Sequence, residues 1–347
     1  MVSKILVLEL WGIGDIVFAS GVLRVLKKSF PYSEVTLLAK KHAESVLLND
    51  KSVDKFIVYD FPWTKFKRKY CLWEWDWFGI IRLIRQLRAE KFDLVFDARG
   101  DIRNNLLSFL VGAKRRIGYD WSGGGYFLTD IVKCSYKKLH RVDAWFNLLK
   151  HINIKDNVVD PVLAISKEEE KWGDEFLKSK EVNREKLLIG IHPGARIKTR
   201  CWPLERFSKV AYYLKQRNIQ IIVFVEPDGY GQDMSVPEGC IKAKVNLREF
   251  IVLARKLGFL VCNDGGAMHL AVAVHTPVVA VFGPTDPVRF GPCGGGNAIV
   301  IKEDVPCRPC FDYCRHREPY CLTSITEEQV IKQVDAMIVR IRKINND

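Results

Sequence analysis

Apolar runs too short to be anything but strands, each leading into a turn and then a helix-spaced stretch, occur along the whole chain in two successive series. Ile5–Leu8 is nearly continuous in apolar residues, as a strand buried on both faces of a parallel sheet requires. A glycine-containing turn follows, and then Phe18, Val22, Val25 and Leu26 fall at helical spacing. Val35–Ala39, Lys55–Tyr59 and Phe92–Asp97 predict further strands, separated by helix-like stretches. After a polar, charged stretch from Ser166 to Lys186 the pattern restarts. Strands are expected over Leu187–His192, Ile219–Val225, Phe259–Cys262 and Pro277–Phe282, with helices over Leu204–Lys215, Leu247–Leu257 and Ala267–Val274. Thr326–Arg342 predicts a closing helix, capped by Thr326 with Glu327 and Glu328 in its first turn. Such alternation with short connections points to open, doubly wound α/β sheets. Two Rossmann-like domains, 1–170 and 171–347, are therefore expected, with a cleft between them.

The length of 347 residues suits two domains, and 48% hydrophobic with 27% charged residues supplies two ordinary cores. The formal net charge of +13 suits a nucleic acid, an anionic membrane surface or a phosphorylated substrate, and by itself does not choose among them. Ile5–Leu8 is too short for a secretory signal and is closed by Glu9. The longest apolar stretch, Gly265 to Phe282, is broken by His269, His275, Thr276 and Pro277, so it reads as a helix and a strand rather than a membrane span. The expected location is the cytoplasm, with contact at a membrane face.

Three turns at strand ends carry candidate chemistry. In Trp11-Gly12-Ile13-Gly14-Asp15, glycines allow close approach of a ligand beside a helix N-terminus. A dinucleotide fingerprint would need glycine at position 17, where Val17 stands. Asp15 reads either as a helix cap or as a general base for a sugar hydroxyl. In His192-Pro193-Gly194-Ala195-Arg196, continuing through Lys198, Thr199 and Arg200 to Trp202-Pro203, a glycine-containing loop with three basic side chains suits a diphosphate. In Asn263-Asp264-Gly265-Gly266-Ala267-Met268-His269 a strand empties into glycines that open a helix, so backbone amides face a ligand position.

Two further features stand apart. Between Tyr59 and Arg88, Phe61, Trp63, Phe66, Tyr70, Trp73, Trp75, Trp77 and Phe78 interleave with Lys65, Lys67, Arg68, Lys69, Arg82, Arg85 and Arg88. That mixture suits an anionic membrane surface, single-stranded nucleic acid, or a core edge with a basic outer face. Cys307, Cys310, Cys314 and Cys321 form a four-cysteine cluster within fifteen residues, read either as a structural zinc or iron site or as reduced thiols in a loop.

The order and spacing of these motifs, with Phe92 to Gly100 and Lys114 to Tyr119, resemble the ADP-heptose:lipopolysaccharide heptosyltransferases, glycosyltransferase family 9, through nearly the whole chain. The resemblance implies a GT-B fold, two Rossmann-like domains facing across a cleft. It implies an acceptor-binding N-terminal domain with Asp15 as base and Gly14, Arg68, Arg99, Arg103 and Arg115 as acceptor contacts. It further implies a donor-binding C-terminal domain, with Gly194, Lys198, Thr199, Arg200, Asp264, Gly265, Gly266 and His269 serving an ADP-sugar. The family usually carries lysine where this chain has Arg200, which alters reach and geometry and leaves Lys198 as a substitute. The implied activity is inverting transfer of a heptose to an anionic glycolipid at the cytoplasmic face of the inner membrane, with no cofactor required for catalysis and no nucleic acid partner. Transfer with another donor, or to a protein or glycan acceptor, is the nearest alternative. A metal-stabilised nucleic-acid-binding protein is the rival of a different class. An epimerase acting on a nucleotide sugar lacks support, given Val17.

Overall fold

Six parallel strands and their crossover helices make up each half of the chain in a computed structural model, which describes residues 2–65, 68, 70–136, 139–155, 160–302, 304–310 and 314–346. The first unit, Met1–Pro161, holds strands Lys4–Glu9 (β1), Glu34–Ala39 (β2), Lys55–Val58 (β3), Leu94–Asp97 (β4), Arg115–Gly118 (β5) and Asp130–Ile131 (β6). Its helices are Ile13–Ser29 (α1), His42–Val46 (α2), Trp77–Ala89 (α3), Ile102–Val111 (α4) and Arg141–His151 (α5). The sheet runs β3-β2-β1-β4-β5-β6. Parallel neighbours cannot be joined by hairpins, so each connection must cross the sheet. β1 and β4 therefore pair side by side, Leu8 opposite Asp97, although more than eighty residues separate them. Ile80, Leu83 and Leu87 of α3 and Leu107 and Val111 of α4 pack against Leu6, Leu8 and Val95 of the sheet.

The second unit, Val162–Asp347, repeats the arrangement. Its strands are Leu188–His192 (β7), Gln220–Val225 (β8), Ile241–Lys244 (β9), Phe259–Asn263 (β10), Val278–Phe282 (β11) and Ala298–Ile301 (β12). Its helices are Lys167–Ser179 (α6), Leu204–Gln216 (α7), Leu247–Arg255 (α8), Gly266–Ala273 (α9), Pro287–Phe290 (α10), Tyr320–Thr323 (α11) and Glu327–Asn346 (α12). The order β12-β11-β10-β7-β8-β9 is that of the first sheet listed from the other edge, with β7 beside β10 as β1 is beside β4.

The expected central strands all form. β5, β6, β9 and β12 lie outside the expected set: β5 begins with two arginines, β6 is two residues long and β9 reads Ile-Lys-Ala-Lys, while β12, Ala-Ile-Val-Ile, is a short apolar run at a sheet edge. The division falls at 161/162 rather than 170/171, because α6 belongs to the second unit. Glu169 of α6 pairs with Arg248, which opens α8, Gly173 lies where a Cβ would come within 2.8 Å of Val252, and the Leu163 amide donates to the Ala273 carbonyl.

Trp202 joins three parts of the second unit. Its indole is fully buried and donates to the Ile325 carbonyl at 2.9 Å just before α12, while its backbone amide donates to Asn263 at the end of β10. Trp202→Ala should lower stability by about 3–5 kcal/mol, and Trp202→Phe by about 1–2 kcal/mol, in urea unfolding. Equal losses for the two variants would show that the indole hydrogen bond, and not the ring volume, dominates.

Candidate active site at the two switch points

In a doubly wound sheet the loops following the first and fourth strands leave in opposite directions, and the gap between them at the carboxyl ends is where ligands bind. In the first unit that point lies between β1 and β4. β1 ends in Glu9, and α1 begins at Ile13, so Asp15 sits in the first turn of the helix. One Asp15 oxygen accepts from the Gly12 amide at 3.2 Å. The other faces two guanidiniums, Arg99 Nη1 at 3.4 Å and Arg141 Nε at 3.6 Å. The cap contact fixes the side chain, whose second oxygen stays in the cationic gap, with the carboxylate 17% exposed. Arg99 comes from the loop after β4 and lies 4.1 Å over the Trp11 ring, a cation–π contact that holds it beside Asp15.

Two residues missed in the sequence complete this cluster. Arg141, the first residue of α5, is 1% exposed. Its Nη1 donates to the Ala98 carbonyl at 2.7 Å, and its Nη2 lies 3.9 Å from Glu9. It ties the ends of β1 and β4 to Asp15 through one planar cation. No local pattern marks an arginine 126 positions after its partner. Glu9 had a signal: a carboxylate ending an otherwise apolar strand. It is 2% exposed, and Oε1 has no hydrogen-bond partner among the described residues. Burial pushes its pKa up to about 8, reinforced by the charge of Asp15 and opposed by Arg141 and Arg99. Asp97, beside it, accepts from Asn104 and the Gly100 amide, yet burial still raises it to about 6. Gly100 has φ +65°, and a Cβ there would come within 2.9–3.0 Å of Tyr119 and Trp121, so the loop carrying Arg99 requires glycine.

The second unit builds different chemistry at the equivalent point. Asn263, ending β10, accepts from the Trp202 amide at 2.9 Å and donates to the Pro193 carbonyl at 2.6 Å, clamping the loop after β7. A Cβ on Gly194 would fall 2.2 Å from the Glu226 side chain, so glycine lets that loop pass close to the end of β8. Asp264 is buried, accepts from the Thr285 hydroxyl and faces Arg200 Nη1 at 3.5 Å. Gly265 and Gly266 open α9, and a Cβ on Gly265 would meet nothing within 4 Å. The protein's own packing therefore does not demand glycine there, and amides at a helix start are groups from which an anion accepts hydrogen bonds. His269 is buried within α9. Lys198 is exposed, and the Thr199 hydroxyl is buried without a hydrogen-bond partner among the described residues. His192 is held toward its neutral form by burial, against the charge of Glu226 at 3.6 Å.

Gly14, Asp15 and Arg99 thus stand together, as do Gly194, Arg200, Asp264, Gly265 and Gly266. The remaining acceptor candidates do not join Asp15. Arg103 is held through two nitrogens by Asp101, and Arg68 is an exposed loop residue paired with Glu74 at 2.8 Å. Arg115 starts β5, at the end of the strands opposite the switch point, and pairs with Asp130 at 2.6 Å; its motif reflects sheet pairing. The four cysteines gather at the edge of the second core, where burial and then the sulfurs of Cys310, Cys307 and Cys314 push Cys321 up to about 11. The described residues nevertheless contain no group of three or more His, Cys, Asp or Glu side chains placed to hold a metal ion, so the geometry gives the expected zinc or iron site no support.

The profile of Glycosyltransferase family 9 (heptosyltransferase) matches residues 80–321. The lipopolysaccharide core heptosyltransferase OpsX of Haemophilus influenzae is 24% identical over 317 residues, spanning 87% of this chain and 85% of that protein. Among solved structures, a glycosyl transferase of family 9 from Veillonella parvula matches with a TM-score of 0.77 at 24% identity, over 97% of each chain. Escherichia coli ADP-heptose lps heptosyltransferase II matches with a TM-score of 0.75 at 18% identity, over 97% of this chain and 99% of that one. The fold is the GT-B fold that the sequence resemblance implies.

The raised Glu9 gives a pH test of the cluster. An unfolded Glu9 titrates near 4.5 and the folded one near 8, so across that window the folded state binds more protons and loses stability as pH rises. Glu9→Gln, which keeps the shape without the charge, should match the parent protein at about pH 4.5 and gain on it up to about pH 8, by on the order of a few kcal/mol. Urea unfolding at the two ends of the window checks this; a variant that is less stable at the alkaline end would show Glu9 to be an ionised partner of Arg141.

Proposed function

The chain belongs to glycosyltransferase family 9 and is a glycosyltransferase, and from that premise we propose that it moves a heptose from ADP-heptose to a hydroxyl of an anionic, lipopolysaccharide-core-type glycolipid, inverting the anomeric carbon. The observation that carries the reading is Asp15, anchored to the Gly12 amide by one oxygen and presenting the other toward Arg99 and Arg141 at the switch point of the first sheet. The first unit is then the acceptor domain and the second the donor domain.

In the reaction the acceptor hydroxyl oxygen attacks the anomeric carbon on the face opposite the diphosphate. Its proton passes to the Asp15 carboxylate, and the bond from the anomeric carbon to the diphosphate oxygen breaks with its electron pair leaving on ADP. One displacement inverts the configuration. Negative charge grows on the diphosphate, where the amides of Gly265 and Gly266 and the cations of Lys198 and Arg200 stabilise it. Arg200 already faces Asp264, whereas Lys198 is exposed, which makes Lys198 the more available cation for an arriving diphosphate. Asp264 and Thr285 hold Arg200 in place, and His269 and Thr199 line the donor side. Arg99 and Arg141 orient the base, and Arg99, at 30% side-chain exposure, is also open to an acidic group on the acceptor. No step is assigned to a metal ion. No helix among the described residues is long and apolar enough to cross a membrane, and work on a lipid-linked acceptor calls for contact at the cytoplasmic face of the inner membrane.

Asp15→Asn keeps the Gly12 contact and removes the proton acceptor. Transfer measured with ADP-heptose and a core-type acceptor should fall roughly 10²–10⁴-fold, while ADP affinity by calorimetry stays within about twofold. Turnover retained in this variant would end the assignment of the base.

A further inference from the structure

The basic, aromatic segment between Tyr59 and Arg88 divides into two populations. One is core: Phe61 and Trp63 are buried, and Tyr59 and Trp75 pack against the same cluster. Rings run in contact from Tyr59 through Phe61, Trp63 and Trp75 to Trp77, with centroids 4.4–5.5 Å apart. The other population faces outward. Trp73 is 82% exposed and Phe78 91%, with Leu72, Trp77 and Ile81 about half exposed beside them. Phe66, Lys67 and Lys69 lie outside the described residues.

Scattered exposed apolar residues are normal, but a rooted cluster of large ones is not. This cluster is rooted. The Trp77 indole donates to the Leu72 carbonyl at 2.8 Å, closing the turn at Leu72–Glu74 onto the start of α3. The opposite face of α3 is fixed in the core by Ile80, Leu83 and Leu87. Phe78, Ile81, Arg82 and Arg85 fall at helical spacing, so the outer face of α3 is apolar at its start and cationic farther along. α4 packs beside α3 through Leu107 and Val111, which share the core with Ile80, Leu83 and Leu87.

Charge decides what fits. Glu74 is occupied by Arg68 at 2.8 Å, and Asp76 caps α3 by accepting from the Gly79 amide at 2.8 Å. Arg82 and Arg85 have no ion-pair partner among the described residues and are exposed. The outer face therefore offers tryptophan and phenylalanine beside uncompensated arginine, the pairing that suits the headgroup level of an anionic bilayer.

We propose that the outer face of α3, with the Leu72–Glu74 turn, docks this protein onto an anionic lipid bilayer. Trp73 and Phe78 insert among the headgroups, and Arg82 and Arg85 meet lipid phosphates. The proposal deepens the reading of a lipid-linked acceptor by assigning the surface that brings the acceptor domain to its membrane.

The test needs neither donor nor acceptor, so it stands or falls apart from the transfer reaction. The purified full chain is sedimented with vesicles of phosphatidylglycerol and phosphatidylcholine, and with vesicles of phosphatidylcholine alone. Binding to the anionic vesicles is expected, falling by about tenfold or more in Trp73→Ser/Phe78→Ser and, separately, in Arg82→Gln/Arg85→Gln, with the melting temperature of each variant unchanged. All four positions are exposed, so folding is not the concern. Three results would overturn the proposal: no binding of the parent protein to anionic vesicles, parental binding by both variants, or displacement from vesicles by a single-stranded oligonucleotide that binds more tightly through the same residues. Retained transfer by Asp15→Asn would leave the vesicle result untouched.

Discussion

Parallel pairing governs this molecule. A sheet whose strands all run one way has to return the chain across its face after every strand, and the return changes direction once, after β3 in the first unit and after β9 in the second. That reversal sets β1 beside β4 and β7 beside β10, so the loops following these pairs diverge and leave space at the strand ends. Asp15 stands at the first of these places, and Asp264, Gly265 and Gly266 stand at the second. Neither arrangement depends on the identity of the side chains in the loops, which is why one topology can hold two chemistries.

The two switch points differ in what they place in that space. The first gathers carboxylates and guanidiniums: Glu9, Asp15 and Asp97 with Arg99 and Arg141, three of them (Glu9, Asp97 and Arg141) almost wholly withdrawn from water. Buried charge is tolerated only when it is paired, shared or neutralised, and all three occur here. Arg141 is shared between a carbonyl and two carboxylates, Asp15 is paired, and burial pushes Glu9 toward neutrality. The second point is built of amides and glycines clamped by Asn263, with its main carboxylate, Asp264, already occupied by Thr285 and Arg200. A cationic gap around one oriented carboxylate suits proton removal near an acidic acceptor. Glycine amides at a helix start suit an anionic diphosphate.

The stretch with most of the aromatic residues shows how one sequence feature divides on folding. Alternating rings and basic residues read equally well as core edge or as contact surface, and both readings hold, for different residues. Phe61 and Trp63 entered the core because β3 carries the chain directly over the face covered by α3, whereas Trp73 and Phe78 lie on a turn and on the helix face that no element covers. Composition contained the propensity. Position relative to the sheet assigned the role.

The sequence by itself determined the two α/β halves, the central strands and the glycine turns at their ends, because a strand buried on both faces leaves an unbroken apolar run and a turn beside a ligand needs glycine. It also singled out Asp15, and the motif order pointed to the family. Tertiary structure decided what local patterns do not encode. The edge strand β9 alternates lysine with apolar residues and is half exposed, so it reads as a loop, and Arg115 turned out to serve strand pairing at the far end of its sheet. The partners of Asp15 came from 84 and 126 residues away, Arg99 from the loop after β4 and Arg141 from the start of α5, brought in by the pairing of β1 with β4 and the packing of α1 on α5 rather than by any spacing along the chain. A period of two or of 3.6 residues is written locally; which two strand ends meet is set only when the whole sheet closes its hydrogen bonds.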